Sequence, residues 1–200
     1  MGAAPVWRIA AEVGTDMTEI NRVLDPERIR GELLRSALYL TAYELLKNSI
    51  IDPISDFLCP KWISRDSAQR DRYKQEVLGL DKDVLTASCL WLAKMGAIEE
   101  SDVRLVSTLR RQRNNVAHEL PRLLLDADLG LSIGKFEQIE ALLRKIDVWW
   151  IVNVHVPTNP DFENVEIDES EVTSGRMMLL SYIVSIVLRE TSSGDAYQTP

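Results

Sequence analysis

Apolar residues recur at helical spacing along most of this chain. Between Asp25 and Pro53, apolar residues recur at the spacing of a helix that buries one face: Ile29, Leu33, Ala37, Leu40, Leu46 and Ile50. Asp25 is suited to the N-cap position and Pro26 to the first turn. The residue before a proline avoids the α conformation, so the helix is predicted to run to about Ile51 and to stop before Pro53.

Further helices follow at intervals, each bounded by capping or helix-breaking residues. Their predicted limits are Asp81 or Asp83 to Gly96, Ser101 to Pro121, Ser132 to Trp149, and Gly175 to Glu190. Residues 52–82 are less regular and are predicted to form a loop-rich insert with one short helix. Residues 151–174 are predicted to be extended or loop, and Ile151 to Val156 is the one fair strand candidate.

The pattern therefore predicts an all-α protein, a bundle of four to five helices with a loop-rich insert between the first and second. We expect one helical domain over residues 25–190. Residues 1–24 have no clear pattern, and residues 191–200 are predicted to be a disordered tail.

Composition narrows the functional classes. The net charge of −8 argues against a general nucleic-acid binder, because affinity for phosphates comes from neutralising them. Two cysteines thirty positions apart resemble no zinc site, so no metal is expected. No other cofactor is expected either. The chain has no apolar run of eighteen residues and no signal-peptide pattern at its start, so we expect a cytoplasmic protein without a membrane span.

One short string carries chemical information. Arg113-Asn114-Asn115-Val116-Ala117-His118 lies near the end of the third predicted helix. At average residue frequencies, Arg-Asn-x-Val-Ala-His occurs by chance in roughly one chain in ten thousand of this length. The string resembles the signature of the HEPN superfamily, an arginine followed after four to six residues by a histidine, often with asparagine directly after the arginine.

The resemblance implies a HEPN-like bundle and a ribonuclease that needs no metal. Arg113 and His118 would be the catalytic pair, with Asn114 as supporting polar residue. Such a pair suits RNA cleavage to 2′,3′-cyclic phosphate and 5′-hydroxyl ends, because histidine exchanges a proton with ribose oxygens while arginine stabilises phosphate charge. Five residues of helix separate the two side chains by about 140°. A homodimer would bring two such pairs into one composite cleft.

Charge around the motif also favours RNA. From Arg104 to Arg122 there are five arginines and one acid, a net of +4, and Arg110, Arg111 and Arg122 are the candidate phosphate-binding residues. Glu44, on the first helix, is a candidate supporting residue that would orient the histidine or pair with Arg113. The acidic residues between 161 and 171 suggest a segment that partly shields the motif from RNA; a solvated surface loop is the alternative.

Three functions stay open at this point. The first is a toxin or antiviral endoribonuclease, controlled by an antitoxin or another regulatory protein. The second is a non-catalytic HEPN module that binds a nucleotide or a protein partner, and the third is a helical adaptor that uses the apolar last helix. HEPN toxins that are silenced by a nucleotidyltransferase often carry a tyrosine two residues after the motif histidine. Leu120 occupies that position here, so control of that kind is not expected.

Overall fold

A computed structural model describes residues 21–59, 71–126, 131–162 and 166–195. Within these ranges every regular element is helical, so the predicted all-α class is confirmed. The main helices are α1 (Pro26–Leu58), α2 (Val84–Lys94), α3 (Glu100–His118), α4 (Leu120–Leu125), α5 (Ile133–Trp150) and α6 (Gly175–Asp195). Short π-helical turns occupy Lys74–Leu78 and Ile151–His155, followed by one α-turn, Val156–Thr158, and one 3₁₀ turn, Pro160–Phe162.

Helix α1 is the centre of the bundle, because α2, α3, α4, α5 and α6 all pack against it. Its buried residues follow the helical period, and those with no exposed surface include Tyr39, Leu46 and Ile50. The Tyr39 ring meets Phe136 of α5 edge to face, with ring centroids 5.5 Å apart, and its hydroxyl donates to the Leu109 carbonyl of α3 at 3.3 Å. These contacts fix α3 against α1.

The start of α1 is as predicted, since the Asp25 carboxylate accepts a hydrogen bond from the backbone N–H of Arg28. The predicted end is wrong: α1 continues through Pro53 to Leu58. Ile54 is fully buried, and Leu58 nearly so, one turn and two turns beyond Ile50. Their burial outweighs the penalty of one interior proline, which is of the order of 3 kcal/mol.

The predicted strand at Ile151 to Val156 is also wrong. The backbone there is helical and follows directly from α5. The β-branched residues favoured a strand, but the described part of the chain has no strand to pair with one, so the backbone groups bond within the helix. Of the predicted insert, residues 52–58 belong to α1, Lys74–Leu78 form a π-helical turn, and residues 60–70 lie outside the described residues, as do residues 1–20 and 196–200. The last helix extends to Asp195, beyond its predicted end at Glu190 and into the predicted tail.

Helix caps elsewhere agree with the sequence in two cases and differ in a third. Asp83 caps α2, and Gly96 follows its end with a φ of +76°, the left-handed conformation that glycine adopts without strain. Glu99, not Ser101, occupies the N-cap of α3, because the Asp102 carboxylate accepts from the Glu99 backbone N–H at 2.9 Å.

A buried carboxylate fixes the start of α6. Asp147 of α5 is only 1% exposed; it accepts a hydrogen bond from the Ser174 hydroxyl and lies 3.1 Å from the Arg176 guanidinium. Just before it in the chain, Arg144 donates to the carbonyls of Glu169 and Ser170. No helix among the described residues is long and apolar enough to span a membrane.

Candidate active-site cleft

A cleft of about 310 Å³ opens between the middle of α1, the start of α2 and the second half of α3. Its polar lining residues come from all three helices and are Tyr43, Glu44, Lys47, Asp83, Arg110, Arg113 and Asn114. Ile51, Val84 and Leu85 complete the wall. We call this set of residues the motif cleft, because it contains the first two residues of the Arg-Asn-x-Val-Ala-His string.

Arg113 is held in the motif cleft by a carboxylate. It lies on the apolar stripe of α3 beside buried Val116 and Leu109, as predicted. Its Nη2 atom is 3.0 Å from Oε1 of Glu44, which is one of the two roles considered for that glutamate. The second Glu44 oxygen accepts from Lys47 Nζ, also at 3.0 Å. The bond from Lys47, helped by the Arg113 guanidinium, lowers the pKa of Glu44, so the carboxylate stays ionised at neutral pH.

Arg110 is fixed by a second carboxylate. Its Nη1 atom is 2.8 Å from Oδ1 of Asp83, and the same oxygen accepts from the backbone N–H and the hydroxyl of Thr86. Burial alone would raise the pKa of Asp83, but these hydrogen bonds outweigh it and the pKa is lowered. The cap of α2 therefore also positions an arginine of α3.

His118 lies outside the motif cleft. It is exposed, and it is the last residue of α3. Helical rotation places Arg111 and His118 within about 20° of each other on the surface, with Asn114 between them and Arg110. Arg111, Asn114 and His118 are all exposed, and we call them the exposed ridge. Asn114 belongs to both features, so the ridge borders the cleft.

The basic character predicted for residues 104–122 is weaker in the folded chain. Four of the five arginines are paired with carboxylates: Arg104 with Glu100, Arg110 with Asp83, Arg113 with Glu44 and Arg122 with Glu119. Most of these acids lie outside the stretch that was counted, so the sequence could not show them. Arg122 is on α4, away from the cleft lining. Arg111 is the arginine of this stretch for which the described residues supply no ion-pair partner.

Tyr43 and Lys47 were missed as site residues, and Asp83 was expected only as a cap. Tyr43, Glu44 and Lys47 fall within one turn of α1, so they project toward the same side of the helix. Once Glu44 is a candidate site residue, that spacing also indicates Tyr43 and Lys47. Asp83 gives no such signal, because its contact with Arg110 joins residues far apart in the chain.

The described end of the acidic segment, residues 169–171, lies against α5 near the start of α3. Arg144 binds carbonyl groups within residues 169–172, and the adjacent Lys145 pairs with Glu99 and Asp102 at the start of α3. The motif occupies the other end of α3, more than ten residues or about 16 Å away. These contacts favour the alternative of a solvated surface loop.

Within the described ranges, no group of histidine, cysteine, aspartate and glutamate side chains is arranged to hold a metal ion. Comparison of the chain with protein-family models, with curated proteins and with solved structures found no match. The resemblance to the HEPN superfamily therefore stays a prediction based on the motif and the helical layout.

Proposed function

We propose that this protein is a HEPN-like endoribonuclease that cleaves RNA without a metal ion. The observation that carries the proposal is the position of the motif side chains around one helix. Arg113 is anchored in the cleft by Glu44, while His118 is exposed and free to meet a substrate, and Asn114 lies between them. This arrangement supplies a fixed positive charge and an accessible acid–base group on adjoining surfaces.

Each group has a definite task. His118 takes the proton from the ribose 2′-hydroxyl or returns one to the departing 5′-oxygen. Arg113 stabilises the charge that builds on the phosphate oxygens, which is most effective when the guanidinium is held in place beforehand. Asn114 orients the phosphate, and Arg111 of the exposed ridge binds a neighbouring phosphate of the strand.

One copy of α3 directs Arg113 and His118 about 140° apart. A two-fold dimer across the exposed ridge brings a second His118 toward the cleft of the first copy, so that each phosphate meets groups from both chains. The proposed enzyme is therefore a homodimer in which neither protomer cleaves RNA alone.

A labelled RNA incubated in EDTA tests the function. We expect cleavage by the wild-type protein and losses of about 10²-fold or more for Arg113→Ala and for His118→Ala. The chain has one other histidine, His155, which is exposed on a different part of the bundle, and His155→Ala is the matched control. Activity that survives both motif substitutions would reject the assignment.

The alternative is a non-catalytic HEPN module that binds a partner, and one surface favours it. On α6, Met178, Leu179 and Tyr182 are exposed by 65%, 47% and 63%. Three large apolar side chains on one turn of helix are typical of an interaction surface. A stable complex with another protein, without RNA cleavage, would support this reading against the enzyme.

A further inference from the structure

Tyr43 occupies an unusual position in the motif cleft. The residue is 3% exposed, yet its side chain lines the cleft. The pKa of its hydroxyl is raised, chiefly by burial, while the nearby charges of Arg110 and Arg113 oppose that rise. Tyr43 lines the same cleft as Arg110 and Arg113, and the raised pKa keeps its hydroxyl protonated at neutral pH. No described residue makes a hydrogen bond with it, so the hydroxyl can donate to a ligand in the cleft.

The cations around this hydroxyl retain unused donors. Arg113 gives one N–H to Glu44 and Arg110 gives one to Asp83, while a guanidinium carries five. The Nε atom of Arg113 is buried and has no hydrogen-bond partner within the described chain. Lys47, at the rim, gives one of its three N–H groups to Glu44. The two carboxylates therefore orient the cations without using up their capacity to bind.

Three cations and two carboxylates leave the cleft one net positive charge, in a chain whose net charge is −8. Such a site attracts an anion that accepts several hydrogen bonds. A phosphate group matches it, because its oxygens accept from guanidinium, ammonium and hydroxyl donors at once. A carboxylate ligand would offer fewer acceptors for the same donors.

We propose that the motif cleft binds a non-scissile phosphodiester of the RNA strand, with the Tyr43 hydroxyl, Arg110 and Lys47 as its donors, while Arg113 serves the adjoining scissile phosphate. This inference rests on the proposed function and adds a substrate subsite to it. Asn114 connects the subsite to the exposed ridge, so the bound phosphate is a neighbour of the one that is cleaved. The subsite would set the position of the strand before chemistry begins.

The test is binding of a fluorescently labelled 2′-O-methyl RNA hexanucleotide, which cannot be cleaved through its 2′ position. Tyr43→Phe removes only the hydroxyl. We expect it to raise the Kd by about tenfold or more, the effect of losing a hydrogen bond to a charged group. The matched control is Tyr39→Phe, because Tyr39 is a fully buried tyrosine one turn earlier on α1 whose hydroxyl bonds to Leu109 instead.

Lys47→Gln gives a second test that does not depend on a buried residue. It should weaken binding and reduce the slope of log Kd against log salt by about 0.7, the value for one phosphate contact on a single strand. Wild-type affinity in both Tyr43→Phe and Lys47→Gln would overturn the subsite. A protein that binds inorganic phosphate through Tyr43 but does not bind the hexanucleotide would also overturn the subsite, because the cleft would then recognise free phosphate and not RNA.

His118→Ala separates this inference from the proposed function. In that variant, hexanucleotide binding should still depend on Tyr43, because His118 does not line the motif cleft of its own chain. Binding that depends on Tyr43 in a protein that never cleaves RNA would retain the subsite and remove the ribonuclease. RNA cleavage by the wild-type protein, together with unchanged hexanucleotide binding by Tyr43→Phe, would retain the ribonuclease and remove the subsite.

Discussion

Replacing Glu44 by glutamine should affect activity far more than stability. The carboxylate joins Arg113 and Lys47, each at 3.0 Å, but the three side chains are 35–39% exposed. Ion pairs exposed to this extent contribute about 0–1 kcal/mol to folding. A change of 1 kcal/mol moves Tm by about 2–4 °C in a protein of this size, so we expect the Glu44→Gln variant to melt within a few degrees of wild type.

The pH dependence of that small difference has a definite sign. The Lys47 hydrogen bond and the Arg113 charge lower the pKa of Glu44 below its ordinary value of 4.5. A carboxylate with a lowered pKa stabilises the fold above its unfolded pKa and loses that contribution as the pH falls through the folded value. Urea unfolding of wild type and variant should therefore differ at pH 7 and converge below pH 4.5.

Cleavage kinetics should respond differently. Without the carboxylate, Arg113 loses its fixed orientation, and misplaced catalytic groups cost up to about 10²-fold in rate. The cleft also gains one positive charge, which tightens RNA binding and steepens its salt dependence. We therefore expect kcat to fall by about tenfold or more while KM also falls.

The control for this variant is Glu76→Gln, since Glu76 pairs with Arg72 at 2.7 Å and is 41% exposed, but lies outside the cleft. It should reproduce the small stability effect and leave both kinetic constants unchanged. A Glu44→Gln enzyme with wild-type kcat would show that Glu44 does not position Arg113 for catalysis.

Three further predictions concern assembly and the fold. Light scattering at micromolar concentration should give a dimer mass, and a strict monomer would contradict the composite site. Ile54→Ala should lower the free energy of unfolding by about 2–5 kcal/mol, because Ile54 is fully buried beyond Pro53; a loss below 1 kcal/mol in urea unfolding would mean that α1 does not pack there. Arg176→Met should lower the free energy of unfolding by about 2 kcal/mol, between the values for buried and exposed ion pairs. In an Asp147→Asn background the loss should be smaller, since no buried charge is then left unpaired. Equal losses in the two backgrounds of a double-mutant cycle would exclude the coupling.

Local rules predicted much of this fold because they depend on residues close together in the chain. The caps at Asp25 and Asp83, the glycine after α2 and the apolar stripe of α3 all follow from near-neighbour chemistry. The errors arose where packing decides. Pro53 ends a helix in isolation but not when Ile54 packs in the core beyond it. A run of β-branched residues at 151–156 needs a partner strand before it forms one.

The candidate site shows the same division. Arg113 and its place on the apolar stripe follow from helical spacing, and Glu44 could be suspected from the motif. The cleft itself could not be derived, because it depends on contacts between Arg110 and Asp83 and between Arg113 and Glu44, which are distant in sequence. These two contacts bring carboxylates from outside the stretch to Arg110 and Arg113, so the predicted net charge of +4 overstated the positive surface.

The chemical ends of the RNA products distinguish attack by the ribose 2′-hydroxyl from other routes of cleavage. Mass spectrometry of a short RNA cleaved in EDTA should find 2′,3′-cyclic phosphate and 5′-hydroxyl ends from wild type and from His155→Ala, and about 10²-fold less of these products from His118→Ala. Those ends require attack by the ribose 2′-oxygen, which is the step assigned to His118 and Arg113. Intact RNA with the wild-type dimer, or ends that carry 5′-phosphate, would contradict the account.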